Sequence, residues 1–193
     1  MLFTVTREEV ERATEIDGTV HRMPSEVAER YGFHSENAEM LSSVGVPEVA
    51  RYGLEFRPPE TYDPYWLADH KKLVEFGWKV GPEIDGWVSL GNFFINTVMV
   101  DPRSGKVYQF TEDPGLPLLI HADLSSFVKT IVVAVETARA CEPVIGQPDE
   151  EEQLTALVEA GKARIRDVDP LPFADEHSEW HEVFGNMENV VYW

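Results

Sequence analysis

The chain has 193 residues, of which 43% are apolar and 11% aromatic, enough to bury a core and too many for a disordered segment. Its 16 basic residues against 35 acidic ones leave a formal charge of −19. That charge argues against nucleic acid or an anionic membrane as partner and favours a basic one, although an acidic surface also serves solubility alone.

The first residues, MLFTVTREEVERA, have no basic start and no long apolar run. They predict neither a signal peptide nor a transmembrane helix, hence a soluble, cytoplasmic chain. Thr6 to Thr14 reads as a helix, with Thr6 and Glu9 spaced as a capping box and Asp17-Gly18 ending it. A short helix over 24–31 has Val27, Ala28 and Tyr31 on one side and stops at Gly32. Ser35 caps a third helix that ends near Gly45, with Ala38 and Leu41 inward. Pro47, Pro58, Pro59 and Pro64 mark an irregular region holding a short extended piece at Phe56. Tyr62, Tyr65 and Trp66 are expected to cover a core edge.

The stretch from Leu73 to Arg139 organises the rest. Val74, Phe76, Trp78 and Val80 alternate with polar residues and glycine, the pattern of a half-buried strand. Trp87, Val88 and Leu90 predict a second strand, and Phe93 to Val100 reads as a central strand covered on both faces. Asp101 to Lys106 is a hairpin loop in which Gly105 supplies a positive φ, and Val107, Tyr108 and Phe110 return from it. Pro117 to Ile120 is an edge-like run. Asp123 then caps a long helix whose apolar residues, Leu124 through Ala138, share one face. Strands in local sequence followed by a covering helix give an α+β class with antiparallel connections.

Pro143, Gly146 and Pro148 form a linker to a C-terminal helical extension over about 148–193. Its first helix opens on Asp149, Glu150, Glu151 and Glu152 and closes on Lys162, Arg164 and Arg166, a distribution that suits the helix macrodipole. Leu154, Leu157, Val158, Ile165 and Val168 form its buried face. Asp175 caps a last helix with Trp180, Val183, Phe184, Met187 and Val191 in register. Residues 148–193 hold 12 acidic and 3 basic residues, so the charge is concentrated at this end.

The search for catalytic and metal motifs is largely empty. The single cysteine, Cys141, excludes a disulfide framework and a multi-cysteine zinc site. His177 and His181 are four apart, but Ser178 stands where a zincin needs Glu, and they read as surface histidines. Ser104-Gly105-Lys106 lacks the earlier glycine of a phosphate loop. No nucleophile elbow occurs, and Cys141 has no histidine near it in sequence. Trp78 and Trp87 suit core packing better than a ligand groove. Asp149 to Glu152 has two readings, a docking patch for a basic partner or a solvated helix start.

Several short motifs, in order, resemble the SUKH superfamily, the family of Smi1/Knr4 and of many bacterial immunity proteins, and within it the fourth immunity subfamily. They are Val44-Gly45-Val46-Pro47, Leu90-Gly91, Asp101 with Gly105-Lys106-Val107, Ala122-Asp123-Leu124 with Phe127, and Trp180. His121-Ala122 and Val46 depart mildly from the pattern. The resemblance covers about 41–141, with a weaker match at the end. It implies one SUKH-like domain over 1–193, a twisted antiparallel sheet flanked by helices, and no shared catalytic residues or cofactor. It further implies binding and neutralising a cognate polymorphic toxin domain, a basic nuclease or another enzyme acting on nucleic acid. A regulatory scaffold module of the same fold is the alternative. The candidate partner-binding residues are Asp149, Glu150, Glu151 and Glu152. An enzyme built from distant residues would need a pocket uniting some of His70, His121, Asp101 and Glu83.

Overall fold

A computed structural model describes residues 1–111 and 115–191. In chain order its elements are α1 (Arg7–Thr14), β1 (Thr19–His21), α2 (Ser25–Tyr31), α3 (Ser35–Glu39), β2 (Val46–Glu48), β3 (Glu55–Phe56) and α4 (His70–Glu75). There follow β4 (Val88–Asn92), β5 (Thr97–Val100), β6 (Val107–Phe110), β7 (Leu118–His121), α5 (Leu124–Cys141), α6 (Glu150–Arg166) and α7 (Glu179–Glu188). Strands β3 to β7 form an antiparallel meander in sequence order, and β1 pairs with β2 in a separate two-stranded sheet. The α+β class with local antiparallel connections is therefore the architecture observed.

Period-two alternation gives the meander two different faces. Val98, Val100 and Val107 belong to the main core, while Met99, Tyr108 and Phe110 pack into a smaller cluster with Trp78, Ile84 and Trp87. Trp87 stacks on Tyr108 with ring centroids 4.1 Å apart, so both tryptophans are packing residues as expected. Gly91 has φ +122°, and a Cβ there would lie 2.2 Å from the Glu55 carbonyl oxygen. Only glycine lets β3 close onto β4 at that point.

Helix α5 is the centre of the main core. The Asp123 carboxylate accepts from the Ser126 backbone N–H at 2.9 Å and caps it as expected. The helix is buried on nearly all sides, from Leu124 to Cys141, because α1, α6 and α7 also pack on it. Lys129 pairs with Glu9 of α1 at 2.6 Å. Arg164 of α6 pairs with Glu136 of α5 at 2.7 Å. Edge-to-face rings run through the core: Phe56 on Phe127 at 4.8 Å, Phe56 on Phe93 at 5.3 Å, and Phe93 on Trp180 at 5.0 Å. The C-terminal helices are thereby packed on the same core as the sheet.

Four local expectations need correction. The stretch 73–80 is not a strand: Asp69 accepts from the N–H groups of Lys71 and Lys72, which starts α4, and Gly77 at φ +95° ends it. Phe93 to Val100 is not one strand. Phe93 N–H bonds to the Asn96 carbonyl at 2.9 Å, so Phe93–Asn96 is the hairpin turn between β4 and β5. Ser35 and Asp175 do not cap their helices; His34 and Ser178 hold the cap positions, and Asp175 instead accepts from the His177 N–H. Val168 and Val191 lie at the surface instead of in the core, and Tyr65 stands out in solvent instead of covering a core edge. The expected capping box is present, with Thr6 and Glu9 each accepting from the other's backbone N–H. Gly105 takes φ +74° in the β5–β6 hairpin, where the Asp101 carboxylate collects the Arg103 N–H and the Ser104 hydroxyl.

Candidate partner-binding surface

The four acidic residues singled out from the sequence come together at the start of α6. Asp149 takes φ 63° just before the helix, which turns the chain sharply out of the linker. Leu154 and Val158 hold the inner face of α6 in the core, so Asp149, Glu151 and Glu152 face outwards. With Thr155 they line a surface depression of about 420 Å³. Glu150 is half-buried and turns back, accepting from the Gly146 N–H at 2.6 Å. Thr155 donates to Glu188 of α7 at 2.6 Å, which brings a further carboxylate to the same edge. Three glutamates in the first turn also favour the helix itself through its dipole.

An apolar feature escaped the sequence reading. Tyr65 is 92% exposed and Phe76 74% exposed, and both line a groove of about 330 Å³ with Leu67, Leu73 and Met99. Large exposed aromatics beside an apolar groove are the usual anchors of a protein interface. The signal was present in Asp69, four residues before Leu73, and in Gly77: a capped helix ended by glycine leaves its C-terminal aromatic outside the strand pattern.

The residues considered for catalysis are occupied elsewhere. His121 is fully buried, and the Trp180 indole N–H donates to its Nε2 at 2.8 Å. Its Nδ1 lies 3.0 Å from Ser126 Oγ, and Ser126 Oγ lies 2.6 Å from Asp169 Oδ2. Since Nε2 accepts, Nδ1 carries the proton and donates to Ser126, whose hydroxyl donates to Asp169. Burial holds the imidazole neutral, well below its ordinary range. Serine, histidine and aspartate thus meet with no surface for a substrate to reach, and the arrangement ties α7 to the end of β7 and the start of α5. Asp101 organises its hairpin, and Glu83 accepts from the Gly81 N–H.

Asp69, His70 and Asp85 bring ligand atoms within 4.8 Å of one another. Each is engaged in starting α4: Asp69 caps the helix, and Asp85 accepts from the His70 N–H and approaches its Nδ1 at 2.6 Å. His177 precedes α7 while His181 lies within it, so the two do not share a helix face. Among the described residues no helix is long and apolar enough to cross a membrane.

At its surface the chain carries an acidic helix start and an aromatic-lined groove. The SUKH-4 immunity protein family model matches residues 5–186, and the chain belongs to that family. No curated protein matches the chain, and no solved structure does. The family match includes α1 and most of α7, so it extends beyond the 41–141 stretch that the motifs cover.

Proposed function

We propose that this protein neutralises a cognate toxin domain by direct contact. Membership of the SUKH-4 immunity family over residues 5–186 carries the reading. The net charge of −19 supports a basic partner, such as a nuclease or another enzyme acting on nucleic acid, whose own groove must be positive. Charge complementarity raises the rate of encounter, and apolar anchors set the lifetime of the complex. Asp149, Glu150, Glu151 and Glu152 are the proposed steering residues, with Tyr65 and Phe76 as apolar anchors. The whole chain, 1–193, acts as one SUKH-like unit in the cytoplasm.

Co-expression with a candidate cognate toxin domain tests the proposal. Restored growth and a co-purifying complex are the expected result. Failure to rescue growth, with no complex at low salt, would turn the reading towards a regulatory scaffold of the same fold.

A further inference from the structure

Strands β3 and β4 are neighbours in the meander, yet the chain runs from residue 57 to residue 87 between them. Loops between neighbouring antiparallel strands usually have about 2–5 residues. The first part of this excursion is tied to the main body: Tyr31 Oη accepts from the Asp63 N–H at 2.9 Å, and Trp66 and Leu67 pack on the main core. Residues 68–87 lie across the other face of the sheet. Ala68, Trp78, Ile84 and Trp87 cluster there with Met99, Tyr108 and Phe110. The ends of this stretch close on each other, since the Ala68 N–H donates to the Trp87 carbonyl at 2.8 Å and the Gly86 N–H to the Ala68 carbonyl at 3.3 Å. Three features make the cover weaker than the main core. No residue of α4 is buried, and Val74 is 51% exposed. The Trp87 indole N–H is buried without an acceptor among the described residues, which offsets part of the gain from burying the ring. Among the described residues, two hydrogen bonds join 69–86 to the rest of the molecule beyond those closing ends: the Lys79 N–H to the Gly115 carbonyl at 2.9 Å, and the Arg103 guanidinium to the Glu83 carbonyl at 3.0 Å.

We propose that residues 68–87 form a flap that opens as one unit while the main core stays folded, and that the toxin domain binds with the flap closed. A segment with few buried apolar contacts and few hydrogen bonds to its surroundings opens at a lower free energy than the core it covers. The groove between Tyr65 and Phe76 crosses the seam of this flap. Tyr65 and Leu67 stand on the fixed side, Met99 belongs to the sheet, and Lys72, Leu73 and Phe76 belong to the flap. Closure therefore sets the spacing of the two aromatic anchors, and opening parts them and uncovers Met99, Tyr108 and Phe110. A partner that grips both sides of the seam selects the closed form. That coupling rests on the reading that Tyr65 and Phe76 anchor a toxin domain; the opening itself does not.

Two measurements separate the inference from that reading. The first needs no partner: amide hydrogen exchange of the full chain, residue by residue, over low concentrations of urea. The hydrogen-bonded amides of Ala68, Trp78 and Trp87 are expected to share one opening free energy. Their common urea slope should be smaller than that of Ile131 and Val135 in the buried helix α5. Trp78→Leu removes the ring that meets Phe110 at 4.9 Å and should speed exchange at all three by about tenfold or more, with α5 unchanged. Three unrelated values, or loss of α5 protection in step with the flap, would overturn the proposal. The second measurement repeats the exchange in a complex with a candidate cognate toxin domain. Slower exchange at the same three amides is expected, because opening then requires release of the partner. A tight complex that leaves them unchanged overturns the coupling of flap to binding while leaving immunity standing. If no toxin domain binds, the immunity reading fails and exchange in the free protein alone decides the flap.

Discussion

Trp180 and His121 fix each other's chemistry. Trp180→Phe keeps a ring against Phe93 but removes the donor to His121 Nε2. The buried acceptor is then unpaired, and a loss of about 1–3 kcal/mol is expected in urea unfolding. A change within experimental error would mean the bond contributes nothing net. The pH dependence follows from the neutral ring. In the folded chain burial lowers the His121 pKa well below 6.5, whereas the unfolded ring protonates as the pH falls through that value. The unfolded state then binds more protons, so stability present at neutral pH is lost as the pH falls below about 6.5. Glu179, shifted upwards, acts in the opposite direction in its own range. Comparison with His121→Gln isolates the histidine: the parent should lose more stability than the variant between about pH 7.5 and pH 5.5. Equal losses would contradict a buried neutral His121.

Between elements, the contact of α6 with α5 turns on Gly161. A Cβ there would lie 2.3 Å from Thr137 Oγ1 and 3.3 Å from Phe184. Alanine improves helix propensity by about 1 kcal/mol, but overpacking costs about 1–3 kcal/mol. Thr137 is 5% exposed and closely packed, so the clash is expected to win. Gly161→Ala should lower the urea midpoint and open the 143–149 linker to protease; a gain in stability would show that α5 and α6 separate cheaply. Most elements were legible where one local rule acted alone. Asp123 caps α5, Thr6 and Glu9 form their box, and Gly105 closes its hairpin, because each signal lies within a few residues. Reading failed where two periods competed. Residues 73–80 alternate like a strand, yet the Asp69 cap and Gly77 decide for helix. In 93–96 the apolar run hid a turn, since Phe93 is buried against Phe56 and Trp180 from a turn position. The contact of Asn96 with Glu179 could not be read at all, because the two are 83 residues apart in sequence.

At the scale of the whole molecule, the family points to a protein partner, and the proposed basic toxin is one that a net charge of −19 would attract. The C-terminal region, 148–193, carries 12 acidic and 3 basic residues and packs on the sheet core, so its acidic edge is presented on a rigid frame. Replacing Asp149, Glu151 and Glu152 with Ala should slow association with a basic toxin and flatten its salt dependence, leaving the dissociation rate nearly unchanged. A change confined to dissociation would assign them to contact and not to steering. Tyr65→Ala and Phe76→Ala should do the reverse and speed dissociation, since exposed aromatics act as anchors. The most direct test of the account is the binding of the purified protein to a purified candidate cognate toxin domain, followed by stopped-flow over a range of salt. A tight complex that blocks the toxin's activity, with an association rate that falls as salt rises, is the predicted result. No complex at any ionic strength would contradict it.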